Sequence, residues 1–385
     1  MATGFEIFGR RLAKEVVRLQ RGEKSFFCMK GSGAVMSSSL LAQQVIDWYD
    51  QNGRTLPWRS SQREANPYHV WLSEIMLQQT NTTTVQPYFL DFIMRWPTVN
   101  ELASAKLDQV LHAWQGLGYY ARARNLHKCA KIIVEEFNGE FPDDEKKLLS
   151  LPGIGPYTAA AISAIAFEFN ATPVDGNVER VMARLNNVTK PLPMVKRELI
   201  VIAKNSTPQK RFGDYAQAVM DLGATVCVPK KPKCSICPCK SICIGFKAGN
   251  PEKLPQRSPK KALPTRYAKI YFMRNHQNQV FIRRREEKGL LGGMMELPST
   301  EWSVQHFGNL EESFLSIGIA NWKQIPNSVK HTFTHFHLEM QVYEGVTDEN
   351  TDISGIWCNL EDLDKQAFPS LMKKVLKHAM SYLKI

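Results

Sequence analysis

From Ser39 to about residue 226, apolar residues recur every three or four positions, the period of amphipathic helices. Leu41, Val45 and Trp48 form a first stripe, closed by NGRTLPW. Pro67 suits the first turn of a second helix, which Val70 to Gln79 continues. The stretch ELASAKLDQVLHAWQGLGYYARARNLHKCAKIIVEEF predicts two helices broken at Gly116-Leu117-Gly118. A helix from Asp144 to Leu149 then feeds a glycine hairpin, LPGIG, and a small-residue helix from Tyr157 to about Phe167. Another stripe (Val178, Val181, Met182, Leu185) starts after Asp175-Gly176-Asn177, and two further helical segments run to DYAQAVMDLGATVC. Beyond Tyr267 the period changes to two. AKIYFMR and QVFIRRR flank His276-Gln277-Asn278 as a β-hairpin, and strands are predicted from Lys330 to Val342 and around Gly355 to Cys358. GLLGGMMELP reads as a loop threading between strands, and Leu371, Val375, Ala379 and Leu383 predict a closing amphipathic helix.

This pattern divides the chain into a mostly α part, residues 39–246, and an α+β part, residues 267–385. Between them, residues 247–266 form a linker. From 244 to 266 the chain carries four prolines and six basic residues against one acidic residue, the signature of an extended, semi-rigid spacer. Residues 1–38 read as a detachable extension: one helical pattern (Phe5, Phe8, Leu12, Val16, Leu19), then GSGAVMSSS. Its arginines suggest an organelle presequence, whereas Glu6, Glu15 and Glu23 oppose one, and initiation at Met36 is the competing account.

Composition narrows the partner. The chain has 385 residues, with 49 Lys and Arg against 37 Asp and Glu, for a net charge of +12. Such an excess points to a polyanion. No apolar run approaches the roughly 20 residues of a spanning helix, so nucleic acid is favoured over membrane. Five of the eight cysteines fall between Cys227 and Cys243, which reads as a metal site in a reducing compartment rather than a disulfide framework.

Candidate chemistry sits at four places. In the LPGIG hairpin, Gly153 and Gly155 can take conformations closed to residues with a Cβ, leaving free N–H groups at a helix start, where an anion binds. Asp175 follows as a helix cap, and a Gly turn with an ordinary cap is the plain alternative. Glu74 lies among Trp71, Leu72, Ile75, Met76 and Leu77, sharing a helix face with Trp71 and Gln78. A carboxyl in apolar company keeps its proton nearer neutrality; an exposed Glu on a polar edge is the commoner case. At the Gly116–Gly118 break, Leu117 and Tyr119, backed by Arg122 and Arg124, can wedge a base stack while phosphates are held, or they can be core and solvated basic surface. Finally, Cys227, Cys234, Cys237 and Cys243 follow a C-x6-C-x2-C-x5-C spacing. Four thiolates suit a [4Fe–4S] cluster or zinc, and a single close pair favours the cluster. Cys239 is a spare.

TLPWR, WLSEIMLQQT, GLGYYARARNLH, LPGIGPYTA, VDGNV, the four-cysteine loop and HTFTHFHL together closely resemble the helix-hairpin-helix DNA glycosylases with an iron–sulfur loop, above all the MutY-type adenine glycosylases. The resemblance runs from about Ser38 to the C-terminus. It implies a helical glycosylase domain with a [4Fe–4S] loop, joined to a Nudix-like α+β domain. Glu74 would protonate a ring nitrogen of adenine and later handle the attacking water, and Asp175 would stabilise the positive charge on the sugar. Tyr157 would lie beside Asp175, and Asn177 would help hold the water. Trp58 and Arg59 would form the pocket of the flipped adenine, with Gln79, Tyr119 and Leu117 wedged into the gap it leaves. Endonuclease III-like relatives carry a Schiff-base lysine where this chain has Tyr157, so base removal without strand cleavage is expected.

The C-terminal half resembles the domain by which these enzymes recognise 8-oxoguanine, through Phe333-Thr334-His335. Many family members have Ser at position 334, which puts the tightness of discrimination in question. No REUxEE run follows GLLGGMMELPSTEWSVQHF, which excludes pyrophosphatase chemistry as an expectation. The implied partner is duplex DNA containing adenine opposite 8-oxoguanine or guanine, bound by a monomer. The linker lacks the cysteines some animal relatives use for a second metal, so a bacterial-type, cytoplasmic and nucleoid-associated enzyme is expected. The rivals are an endonuclease III-like glycosylase/lyase and a non-catalytic mismatch-binding protein.

Overall fold

In the computed structural model, the described residues are 38–59, 65–259, 262–286, 288–307, 322–347 and 354–385. The expected helix at the extreme N-terminus therefore lies outside them. The helical expectations from Ser38 onward are met with small shifts at most places. The stretch expected as two helices about Gly116–Gly118 is three, with an added break at Ala105-Lys106, and a helix over Thr82–Arg95 adds to those expected. The elements are α1 (Ser38–Asn52), α2 (Pro67–Leu77), α3 (Thr82–Arg95), α4 (Val99–Ser104), α5 (Leu107–Ala113), α6 (Ala121–Phe137), α7 (Glu145–Ser150), α8 (Pro156–Ile165), α9 (Gly176–Leu185), α10 (Lys196–Asn205), α11 (Phe212–Thr225) and the short α12 (Ile244–Lys247). Local chemistry explains the ends that matter. Pro67 occupies the first turn of α2, and the Asn66 side chain accepts the Tyr68 N–H at 2.9 Å. The core of this half is aromatic, with Trp71, Trp114, Phe89 and Phe92 among its largest fully buried side chains.

Among the described residues, the second half is a mixed sheet carrying one α-helix, α13 (Ser370–Leu383). Its path is β3-β2-β1-β6-β4, with β5 beside β6 and β7 beside β2. The strands are β1 (Thr265–Arg274), β2 (Val280–Arg284), β3 (Met295–Glu296), β4 (Lys323–Gln324), β5 (Val329–Thr332), β6 (His337–Val346) and β7 (Ile356–Cys358). The predicted hairpin β1–β2 forms, and β1 also pairs in parallel with β6 over its full length. The strand expected from Lys330 to Val342 is instead two antiparallel strands, broken where the Phe333 N–H donates to the Phe336 carbonyl at 2.9 Å. His331, His335 and His337, four and two residues apart, therefore do not share one strand: they lie on β5, in the turn and on β6.

Ser38–Ile385 forms one compact unit. Met294 and Ala367, from the sheet half, are buried in the helical core, and Gln115 Nε2 donates to the Gln366 carbonyl at 2.8 Å. The linker is not a free spacer over its first half. The Leu192 N–H donates to the Gln256 carbonyl at 2.8 Å, the Ser258 N–H donates to the Leu192 carbonyl at 3.1 Å, and the buried Arg184 guanidinium holds the Leu254 carbonyl at 2.9 Å.

Candidate active site

A cavity of about 510 Å³ opens between α2, α8, α9 and α11, within the range of small-molecule sites. Trp58, Arg59, Glu74, Gln78, Gln79, Tyr157, Asp175 and Asn177 all line it, so residues spread over 120 positions of sequence meet at one place.

Glu74 is 7% exposed on the buried face of α2. Burial, which disfavours the charged form, is the main cause that pushes its carboxyl from the usual 4.5 to about 7. The neighbouring Asp175 charge adds to the rise, while a hydrogen bond from Tyr157 and the charge of Arg59 oppose it. The Tyr157 hydroxyl, also 3.4 Å from Met220 Sδ, is held well above its ordinary value by burial and by the two carboxyls, so it stays a phenol.

Asp175 caps α9. Its Oδ1 accepts the N–H groups of Asn177 (2.9 Å) and Val178 (2.8 Å), and its Oδ2 accepts Asn177 Nδ2 at 2.7 Å. Asn177 is fixed in turn by Arg180, whose Nη2 donates to Asn177 Oδ1 at 2.7 Å while Nε donates to the Cys227 carbonyl at 2.8 Å. A continuous line of hydrogen bonds therefore joins Asp175 to the cysteine loop.

Behind the pocket wall, against the lining residues Arg54 and Arg59, lies a residue that sequence reasoning did not single out. Asp221, on α11, is fully buried and takes both Arg59 (2.7 and 2.8 Å) and Arg54 (2.7 Å from Nε, 2.8 Å from the backbone N–H). Burial alone would raise this carboxyl, but hydrogen bonds and charge from Arg59, then Arg54, outweigh it and hold it below the usual range. An Asp between Met220 and Leu222 on an otherwise apolar helix face was a signal of such a partner.

The glycine hairpin divides in two. Gly153 has φ +81°, and a Cβ there would lie 3.0 Å from Asn125 Cβ, so the position requires glycine. Gly155 corrects the expectation: it has φ −94° and ψ 179°, and a Cβ would meet open space. Its contribution is to cap α8 with no side chain, which leaves the first N–H groups of that helix unpaired by a cap.

At the α5–α6 break, Gly116 (φ +100°), Gly118 (φ +68°) and Tyr119 (φ +48°) take left-handed backbone. Tyr119 is 47% exposed and Gln79 (φ +60°) is exposed too, as a wedge requires. Leu117 and Arg122 are not. Leu117 is 5% and Arg122 8% exposed. The Arg122 guanidinium donates to the carbonyls of Ile75, Met76, Leu117 and Gly118 at 2.7–3.2 Å. These bonds replace the expected phosphate contact with one that pins the wedge loop to the end of α2, and burial pushes the guanidinium down to about 10.

In the sheet half, Phe333 stacks on Trp302 (centroids 5.6 Å apart, 29° between planes) and packs against Phe336 at 4.8 Å. Thr334 and His335 project to solvent from this base. The Thr334 hydroxyl meets the Tyr119 hydroxyl at 2.5 Å, which brings the Phe333–Phe336 turn against the loop between α5 and α6.

Cys227, Cys234, Cys237, Cys239 and Cys243, all free, line one pocket under α9. Arg184 organises it: its guanidinium donates to Cys227 Sγ at 3.3 Å and to the carbonyls of Cys227, Val228 and Pro229 at 2.7–3.1 Å. Among the described residues, no three His, Cys, Asp or Glu side chains converge closely enough to hold a single metal ion.

Residues 72–203 match the HhH-GPD superfamily of base excision DNA repair proteins, and residues 270–378 match the NUDIX domain. The class is therefore a base excision DNA glycosylase with a NUDIX-type second half. An adenine DNA glycosylase of Buchnera aphidicola subsp. Schizaphis graminum is 34% identical over 89% of this chain and 99% of its own length. That of Homo sapiens is 33% identical over 86% of this chain and 72% of its own length. The chain belongs to the adenine DNA glycosylase family. A thermostable thymine-DNA glycosylase is similar to it at 25% identity and a TM-score of 0.49, over 55% of this chain and 97% of that one.

Proposed function

We propose that the protein removes adenine from duplex DNA where it stands opposite 8-oxoguanine or guanine, and leaves the strand intact. The observation that carries this reading is Glu74: a buried carboxyl whose proton persists to about pH 7, sharing a pocket with the helix-capping Asp175. Separated environments for two carboxyls around one glycosidic bond assign acid and stabiliser. With the adenine flipped into the cavity, Glu74 donates its proton to a ring nitrogen, and the bond to the sugar breaks with its electrons leaving on the base. Asp175, fixed by three N–H donors, faces the positive charge that develops on the sugar. Asn177 positions a water, Glu74 takes its proton, and hydroxyl adds to the sugar to give an abasic site. Tyr157 offers a phenol in place of an amine, so no imine to the sugar forms. Trp58 and Arg59, the latter held from behind by Asp221, wall the base, Tyr119 and Gln79 fill the gap, and Phe333-Thr334-His335 reads the opposing base.

Cys227, Cys234, Cys237 and Cys243 would hold a [4Fe–4S] cluster. The five cysteines line one pocket, and their spacing, with a single close Cys234–Cys237 pair rather than two separated knuckles, suits such a cluster better than a zinc site. When bound, the cluster supplies structural cross-linking of a basic loop. Lys230, Lys231, Lys233 and Lys240 stand around it to meet phosphates, together with the open N-terminus of α8.

The test is a single-turnover assay on duplexes carrying adenine opposite 8-oxoguanine, guanine, cytosine or thymine. Adenine is expected from the first two, with alkali needed to cut the strand. Absence of adenine release overturns the reading; borohydride trapping of a protein–DNA adduct would favour the lyase.

A further inference from the structure

The sheet half carries three consecutive arginines, Arg283-Arg284-Arg285, at the end of β2. A two-residue period sends the middle one to the face opposite its neighbours. Arg284 accordingly turns to the helical half, where its guanidinium pairs with Asp108 at 2.8 Å. Arg283 and Arg285 turn instead to Glu296, on the neighbouring strand β3 and directly opposite Arg283 in the register. Glu296 is 2% exposed, so its carboxylate needs partners: Arg283 Nε donates to one oxygen at 2.9 Å and Arg285 Nη1 to the other. One arginine meets the charge of one carboxylate, and the second has a further contact. The Arg285 guanidinium lies over the Trp302 ring, 5.0 Å from its centroid, and that indole is the one stacked on Phe333. A cation over an indole face is attracted by the ring quadrupole. A line of contacts thus runs from the buried Glu296 through Arg285 and Trp302 to the base of the turn that carries Thr334 and His335.

We propose that Arg285 is a specificity-determining positioning residue: held by Glu296, it sets the pose of Trp302 and, through it, of the turn that reads the base opposite adenine. The assignment rests on the role given above to Phe333-Thr334-His335. With the guanidinium in place, the indole has a partner anchored on β3, so Phe333 stacks on a ring held against tilting. Without it the ring keeps its aromatic contacts but loses that anchor, and the exposed Thr334 and His335 sample more than one pose. Arg285 is not among the residues lining the cavity of Glu74 and Asp175, so its loss bears on selection and leaves the chemical step alone.

The test measures single-turnover adenine release by the full chain on duplexes with adenine opposite 8-oxoguanine and opposite guanine. R285M keeps an apolar stem and removes the charged head. Its preference for 8-oxoguanine is expected to fall roughly fourfold, the scale of one cation–π contact, with the rate opposite guanine unchanged. R285Q should give the same fall and serves where R285M does not fold. R283M, which removes the other partner of Glu296, is expected to lower the melting temperature but to hold the preference within twofold of wild type. That variant separates positioning of the turn from neutralisation of the carboxylate. The R285M/W302A double variant supplies a second reading: with Arg285 acting through the indole, it loses no more preference than W302A alone. A fall below twofold in both variants at position 285, equal loss on both duplexes, an equal fall in R283M, or losses that multiply in the double variant each overturn the assignment. A wild type that releases adenine with no preference between the two duplexes overturns the reading of the turn, and this assignment with it. A wild type that releases none overturns the proposed activity itself.

Discussion

The pocket of Glu74 and Asp175 and the turn of Phe333-Thr334-His335 are built on opposite principles. At the pocket the carboxyls are tied: the buried Glu74 to Tyr157, the half-buried Asp175 to three N–H donors and, behind the wall, the fully buried Asp221 to two arginines. In the turn, only the aromatic base of Phe333, Trp302 and Phe336 is packed, and the groups that would touch DNA, Thr334 and His335, are exposed. The pocket can therefore preorganise charge, which is where most catalytic stabilisation arises. The turn can only select. Its polar tie to the other half among the described residues is the Thr334–Tyr119 hydroxyl contact, so selection would be delivered to the loop of Tyr119 rather than to the carboxyls. Changes in the pocket are expected to alter the chemical step; changes in the turn, only the preference among opposing bases.

The largest expected effect tests the first half of that contrast. E74Q removes the transferable proton at nearly constant volume, and single-turnover adenine release should fall by roughly 10³-fold with duplex binding retained, as for loss of a general acid. A fall of less than tenfold would remove Glu74 from the chemistry. D221N comes next. It strips the shared partner from Arg54 and Arg59, and uncoupling buried charges costs about 3–5 kcal/mol, so the melting temperature should drop sharply. A shift of only a degree or two would mean that the arginines reach solvent or another acceptor.

The pH dependence is a smaller and continuous test. Chemistry needs the protonated Glu74, so the single-turnover rate should be level below about pH 7 and fall tenfold per pH unit above it, a limb that E74Q lacks. The stability sign follows from the same proton. The folded chain binds it up to about pH 7 and the unfolded chain releases it near 4.5, so this contribution to stability declines as pH rises between those values. A rate that climbs through pH 7 would assign Glu74 the base role alone. The smallest effect belongs to the turn. W302A removes the ring under Phe333, and an aromatic pair is worth about 1 kcal/mol, so preference for 8-oxoguanine over guanine opposite adenine should drop roughly fivefold at an unchanged rate with guanine. Equal loss on both substrates would show that pocket and turn are not separable.

The sequence by itself determined the local elements and the identity of the chemical groups. A 3.6-residue period marked the helices, a two-residue period marked the sheet half, and Glu74 in an apolar run, Asp175 at a helix start and four crowded cysteines stood out because each is a local anomaly. Three things only the tertiary structure decided. Asp221 meets Arg54 across 167 positions of sequence, and no spacing rule reaches that far. Arg122 looked like one of several basic residues on a helix, yet the carbonyl ends of α2 and of the wedge loop turn it inward. The strand predicted through Phe333-Thr334-His335 folds back on itself, because Phe333 and Phe336 bury their rings against Trp302 instead of alternating across a pleat. Periodicity records which face of an element is apolar. Which partner that face meets, and which charge a buried side chain must neutralise, are properties of the packed chain.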